Sequence, residues 1–149
     1  MQPTRKTITL RTGDARSRAF AANFVVVNDI PALQGLSLTP GDIQTKAELA
    51  LRGYGIAVAT KPKHLLHIGI TVLKANPPAP LFAYNVSVAV REPLRVPRAG
   101  QFVLSSVWEL QELGLAGSEV VQDSTTKAVV NLVEVLVNDH LAVNPKASR

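Results

Sequence analysis

The stretch YNVSVAVREPLRV, residues 84–96, constrains the fold most. Tyr84, Val86, Val88 and Val90 share one parity, which Leu94 and Val96 continue, while Asn85, Ser87, Ala89 and Arg91 fall on the other. Successive side chains of a strand point to opposite faces, so this segment must present one face to a core and the other away from it. Burying Tyr84, Val86, Val88 and Val90 contributes on the order of 6–12 kcal/mol before chain entropy is counted. Pro93 and Pro97 remove backbone donors, which places the second half at a sheet edge or a bulge.

Other segments supply neighbours for this strand. Residues 20–29, FAANFVVVND, are rich in β-branched and aromatic side chains and read as a strand. In LLHIGITVLKA, Leu66, Ile68, Ile70 and Val72 share a face, with His67, Gly69 and Thr71 opposite. NPPAP, residues 76–80, reads as a connection. FVLSSVWEL, residues 102–110, reads as a further strand with Phe102, Leu104, Trp108 and Leu110 on one parity; Val103 and Val107 compete for the facing. GLAGS is expected to end the sheet as a turn. Residues 4–11 are a candidate edge strand.

Two helices are expected. Thr39 is a capping residue, Pro40 suits the first helical position, and Asp42 suits the positive end of the dipole. Ile43, Ala47, Ala50, Leu51 and Tyr54 then form an apolar stripe, and Gly53 and Gly55 end it before a short strand at 56–58. From about residue 118 to 143, Lys127, Asn131, Glu134 and Asn138 make a polar stripe opposite Val129, Leu132, Val133, Leu136 and His140. That three-four spacing selects helix over strand despite the abundance of valine. Asp123 and Lys127 add an i,i+4 pair in the favourable order.

The expected fold is α+β: a two-layer sandwich of a mainly antiparallel sheet of about five strands with two helices on one face, in the order β-α-β-β-β-β-α. A basic N-terminal segment (1–18), a single domain (19–145) and a tail (146–149) divide the chain. Arg5, Lys6, Arg11, Arg16 and Arg18 face Asp14 alone in the first segment, which holds most of the net charge of +5.

The chemistry-bearing residues do not form a recognisable constellation. The chain has no cysteine, which removes disulfides and thiolate chemistry. His64 and His67 are three apart, a spacing that puts them on opposite faces of a strand and so does not make a metal pair. Ser105 and Ser106 lie within a strand and lack the strand–turn–helix elbow of a nucleophile. Asp42, Glu48, Glu92, Glu109, Glu112, Glu119 and Asp123 are scattered, and no acid–base pair stands out. GLAGS lacks the phosphate-cradle pattern. The expectation is a non-enzyme with no cofactor, no metal and no catalytic residue. No apolar run is long enough to span a membrane.

The candidate interaction surface is Asn85, Ser87, Arg91, Arg95 and Arg98, the polar parity of the 84–96 strand and the turn after it. Lys61 and Lys63 are candidate neighbours. Sheet-surface readers of RNA stack bases on exposed aromatics, and the polar parity of this strand holds none. A protein partner or a second copy of the chain therefore ranks above nucleic acid.

ELALRGYGI (48–56), YNVSVAVREPLRV, Trp108 followed by GLAG, and NDHLAVNP (138–145) together resemble a group of small exported bacterial proteins of uncharacterised function. The order of elements is also similar to the amino-terminal domain of TolB and to periplasmic domains of secretion or assembly lipoproteins. The resemblance implies export, a cell-envelope setting and no known catalytic residues. The expected function is a non-enzymatic periplasmic or outer-membrane-associated accessory domain that binds protein. The alternative is a basic α+β nucleic-acid-binding domain. Residues 1–18 lack the apolar middle of a signal peptide, so the expected location is the envelope after loss of an export signal, and the cytoplasm if Met1 is the native start.

Overall fold

The computed structural model describes residues 19–27, 38–58, 64–74 and 81–143, with backbone alone at 19–27 and 57. The basic segment 1–18, the candidate strand 4–11, Lys61, Lys63, the connection 76–80 and the tail 146–149 lie outside the described residues. In chain order the elements are β1 (Ala19–Val27), α1 (Pro40–Gly53), β2 (Ala57–Val58), β3 (Leu65–Lys74), β4 (Leu81–Val96), β5 (Gln101–Gly117) and α2 (Val121–Val143).

The fold is α+β, with two helices and a three-stranded antiparallel sheet of β3, β4 and β5. The pairings of β1 depart from the expectation of a mainly antiparallel sheet. β1 runs parallel to both β3 and β2. The cause is α1, a crossover that returns the chain to the sheet in the same direction, as parallel neighbours require.

Helix α1 starts on a capping box. Thr39 Oγ1 accepts from the Asp42 amide at 3.2 Å, and Asp42 accepts from the Thr39 amide at 3.2 Å. Thr39 Oγ1 also donates to Asp42 Oδ2 at 2.7 Å, and this bond first, then the one from the Thr39 amide, holds the Asp42 carboxyl below its usual pKa. At its other end Gly55 adopts φ 75°, the left-handed region that glycine enters without strain. Its amide donates to Arg52 O at 2.9 Å and that of Ile56 to Leu51 O at 3.0 Å, the paired bonds of a Schellman stop. Leu51 and Ile56, both buried, meet the core there. Ile43 and Ala47 are buried as the stripe requires, whereas Tyr54 is exposed at the helix end.

Helix α2 buries Val121, Thr125, Ala128, Val129, Leu132, Val133, Leu136, Val137 and His140. Lys127, Asn131 and Asn138 face outward on the polar stripe. The buried stripes of both helices form one cluster with Leu66, Ile68, Ile70 and Val72 of β3 and Phe82, Tyr84, Val86, Val88 and Val90 of β4. Trp108 joins this cluster from β5 and donates its indole N–H to Asp139 Oδ2 of α2 at 3.1 Å. The bond ties α2 to the sheet by a polar contact that sequence spacing did not suggest. Asp139→Ala leaves that N–H without its acceptor and should lower unfolding stability by about 1–3 kcal/mol, read as a shift of the urea midpoint. Asp139→Asn keeps an acceptor and should cost less.

Two expectations for β5 are corrected. First, GLAG is strand and not turn: Gly114, Leu115, Ala116 and Gly117 pair with Tyr84, Ala83, Phe82 and Leu81. Gly114 serves side-chain packing, because a Cβ there would lie 2.4 Å from the ring of Tyr84. Second, Phe102 and Leu104 do not share the face of Trp108 and Leu110. The register shifts after the Val90↔Trp108 pair to Arg91↔Ser106, which leaves Val107 as an extra residue on β5. One inserted residue reverses the facing of everything beyond it. Trp108 is therefore buried while Phe102 and Leu104 are exposed.

Candidate interaction surface

The face of the β3–β5 sheet turned away from the helices is built from matched cross-strand rows. His67, Ala89 and Glu109 form one row, and Gly69, Ser87 and Gln111 the next. Thr71, Asn85 and Leu113 follow, then Leu73, Ala83 and Leu115. Along its middle the central strand presents short side chains to this face, Ala83, Asn85, Ser87 and Ala89, with Leu81 at one end of the run and Arg91 at the other. The result is a shallow floor along β4 with taller side chains on both flanks.

The five candidate residues fall as follows. Asn85, Ser87 and Arg91 are half-buried on this face, and Arg95 is exposed on its continuation, opposite Phe102. Arg98 is exposed in the turn between β4 and β5. Strand alternation brings the first four together, and the turn places the fifth at the far end. Ser87 Oγ donates to Gly69 O at 3.5 Å, a long contact. A Cβ at residue 69 would come within 2.7 Å of that hydroxyl, so glycine on β3 leaves the room that Ser87 occupies.

Sequence reasoning missed the apolar part of the surface. Leu113 is 76% exposed, Leu115 69% and Leu73 57%, all on the helix-free face. Alternation through GLAG would have found Leu113 and Leu115, had that segment been read as strand. Phe102 was missed because the bulge at Val107 is silent in a parity count.

The titratable groups lie at the other end of the face. His67 lies there beside Arg91 and Glu109, while Glu92, on the opposite parity of β4, pairs with His64. Partial burial holds the His67 imidazole below its ordinary pKa, and the positive charge of Arg91 adds to the effect. Gln111 Nε2 donates to Glu109 Oε1 at 3.0 Å. No group of three or more His, Asp or Glu side chains among the described residues is arranged to hold a metal ion. On the opposite side of the molecule, an open cleft of about 570 Å³ lies between α1 and the start of α2. Asp42, Lys46, Asp123 and Lys127 line it. Asp42 is already engaged as the N-terminal capping partner of α1. No helix among the described residues is long and apolar enough to cross a membrane.

No protein-family model matches the sequence, and no curated protein matches it. Among solved structures, the chain is similar to a minor lipoprotein from Acinetobacter baumannii, at 12% identity and a TM-score of 0.44 over 89% of this chain and 98% of that one. It is also similar to the PelC dodecamer from Paraburkholderia phytofirmans, at 14% identity and a TM-score of 0.49 over 85% of this chain and 92% of that one.

Proposed function

We propose that this chain is a non-enzymatic accessory domain of the cell envelope, periplasmic or outer-membrane-associated, that binds protein through the helix-free face of its sheet. The full β layer is read as five strands in the order β2-β1-β3-β4-β5, the lower layer of a two-layer sandwich under α1 and α2. The observation that carries the binding reading is the row Leu73, Ala83, Leu115 with Leu113 beside it. Large apolar side chains gathered on one open face, rimmed by polar groups, mark protein contacts more often than bare solvent boundaries. The short residues along β4 let a partner backbone or a second copy approach closely. The envelope setting rests on the resemblance of the 48–56, 84–96 and 138–145 motifs to exported proteins.

Photo-crosslinking in cells tests this reading. A crosslinker at position 87 or 113 should give discrete protein adducts, and one at position 127 on the outer stripe of α2 should give none. Equal labelling from all three positions, or none from any, contradicts the reading.

The nucleic-acid alternative gains one observation, the exposed Phe102 across from Arg95. One aromatic offers a single stacking platform, while β3 and β4 add to the helix-free face only the half-buried imidazole of His67. Affinity for an oligonucleotide that falls steeply with salt and is lost in Arg91→Ala/Arg95→Ala/Arg98→Ala would select this alternative.

A further inference from the structure

Strand β5 is 17 residues long, and among the described residues it pairs with β4 alone. Its other edge therefore leaves a row of backbone donors and acceptors open. That edge is not uniform. Beyond the last β3 pair, Leu65↔Arg91, residues 92–96 of β4 and 101–105 of β5 form a two-stranded ribbon. The extra residue Val107 then interrupts the edge, and Glu109 and Glu112 place charge on the stretch after it. Bulges and charges are the usual guards of a strand edge. From residue 113 to 117 there is neither, and no proline. Leu113 and Leu115 stand exposed on this unguarded stretch, on either side of Gly114.

An open strand edge is completed by another extended backbone, and the residues here point to a second copy of this chain. Two copies related by a two-fold axis must each offer the same edge in opposite directions. Leu113-Gly114-Leu115 reads the same both ways. Antiparallel pairing centred on Gly114 sets Leu113 opposite the partner's Leu115, Glu112 opposite the partner's Ala116 and Gln111 opposite the partner's Gly117. Every leucine then meets a leucine on the helix-free face, and no acid meets an acid. Moving the centre by one residue sets one leucine of each copy opposite Gln111 or Gly117 instead, and centring on Glu112 sets acid against acid. On the other face glycine meets glycine, so nothing crowds the Tyr84 ring that occupies the space over Gly114.

We propose that two copies of this chain join edge to edge through residues 111–117 of β5, extending the sheet antiparallel across a two-fold axis at Gly114. The pairing uses each β5 edge once, so association stops at the dimer. The inference uses the edge of β5 and does not rest on the reading of the helix-free face as a protein-binding surface. That face stays open in the dimer.

Sedimentation and disulfide trapping of the full chain test the inference. The parent chain should be a monomer when dilute and a dimer when concentrated. Leu115→Lys should raise the dissociation constant about a hundredfold, because a leucine pair is lost at two symmetric places. Leu73→Lys, exposed on the same face but on β3, should leave it unchanged. The chain has no cysteine, so introduced thiols read the register directly. Directly paired residues lie about 4.5–5.5 Å apart at Cα, within disulfide reach, and diagonal neighbours about 7–8 Å, outside it. An equimolar mixture of Leu113→Cys and Leu115→Cys should therefore oxidise to a mixed dimer about tenfold faster than either variant alone. All the substituted positions are exposed, and circular dichroism melting checks that each variant stays folded.

A parent chain that stays monomeric at every concentration overturns the inference. If position 113 still crosslinks another protein in cells, the reading of the helix-free face survives that loss. Equal loss of the dimer in Leu73→Lys and Leu115→Lys would mean that the copies meet face to face, and overturns the inference too. So does faster trapping of Leu113→Cys alone than of the mixture, which would put the axis at another residue. Species larger than the dimer do the same.

Discussion

Gly114→Ala should lower the stability of this protein by about 2 kcal/mol, and Gly114→Val by more. The added Cβ would stand 2.4 Å from both Cζ and Oη of Tyr84 and 2.7 Å from Cε1. Contacts that short cannot persist, so the ring or the β5 backbone must move. Tyr84 is buried near the start of β4 in the cluster that the sheet shares with both helices, and displacing its ring disturbs that packing. A double-mutant cycle separates this clash from the general cost of altering a strand glycine. With Tyr84→Ala already present, Gly114→Ala should cost well under 1 kcal/mol. Additive losses in urea unfolding would mean that the ring does not rest on the glycine.

Ile68→Ala should be about as damaging for the opposite reason, a cavity instead of an overlap. Ile68 is fully buried on β3, between Val88 of β4 and the backbone of β1 at residue 25. Removing three buried carbons from such a site costs about 2–4 kcal/mol, the spread reflecting how far the neighbours relax. Leu113→Ala removes a similar mass from β5 and should cost under about 0.5 kcal/mol, since that side chain already meets water. The contrast depends only on which face each residue occupies. Similar losses for the two would mean that the helix-free face is covered in the isolated chain.

The main lines of the fold were legible wherever one physical signal acted alone. Alternation gave the inward set Leu66, Ile68, Ile70, Val72 on β3 and Tyr84, Val86, Val88, Val90 on β4. Capping chemistry located the start of α1 at Thr39 and its end at Gly55. The polar stripe identified α2 as helix although valine disfavours that state. The rest was hidden where two signals competed. At β5 the conflict between Phe102 and Val103 for the inner face was visible as a doubtful parity. Its cause, the extra residue Val107, depends on the register against β4, which a single segment does not encode. GLAG looks like a turn because glycine usually marks one, yet Gly114 is there to receive a ring from the neighbouring strand. The parallel pairing of β1 follows from the crossover through α1, a tertiary fact.

The candidate surface divided in the same way. Asn85, Ser87, Arg91 and Arg95 were recoverable from parity along one strand, and they do share a face. Leu113, Leu115 and Phe102 required cross-strand knowledge, and they are what give that face and its ribbon their apolar character. Trp108 and Asp139 are 31 residues apart, and only the packing of α2 on β5 brings them together.

Because the chain lacks cysteine, single cysteines can report each position separately by their rate of reaction with a thiol reagent. Phe102→Cys, Leu113→Cys and Leu115→Cys should react in the folded protein nearly as fast as in urea. Val86→Cys and Val88→Cys should stay protected until the protein unfolds. Protection at 102 and 113 together with rapid reaction at 86 and 88 would reverse the sheet and contradict the whole assignment of its two faces.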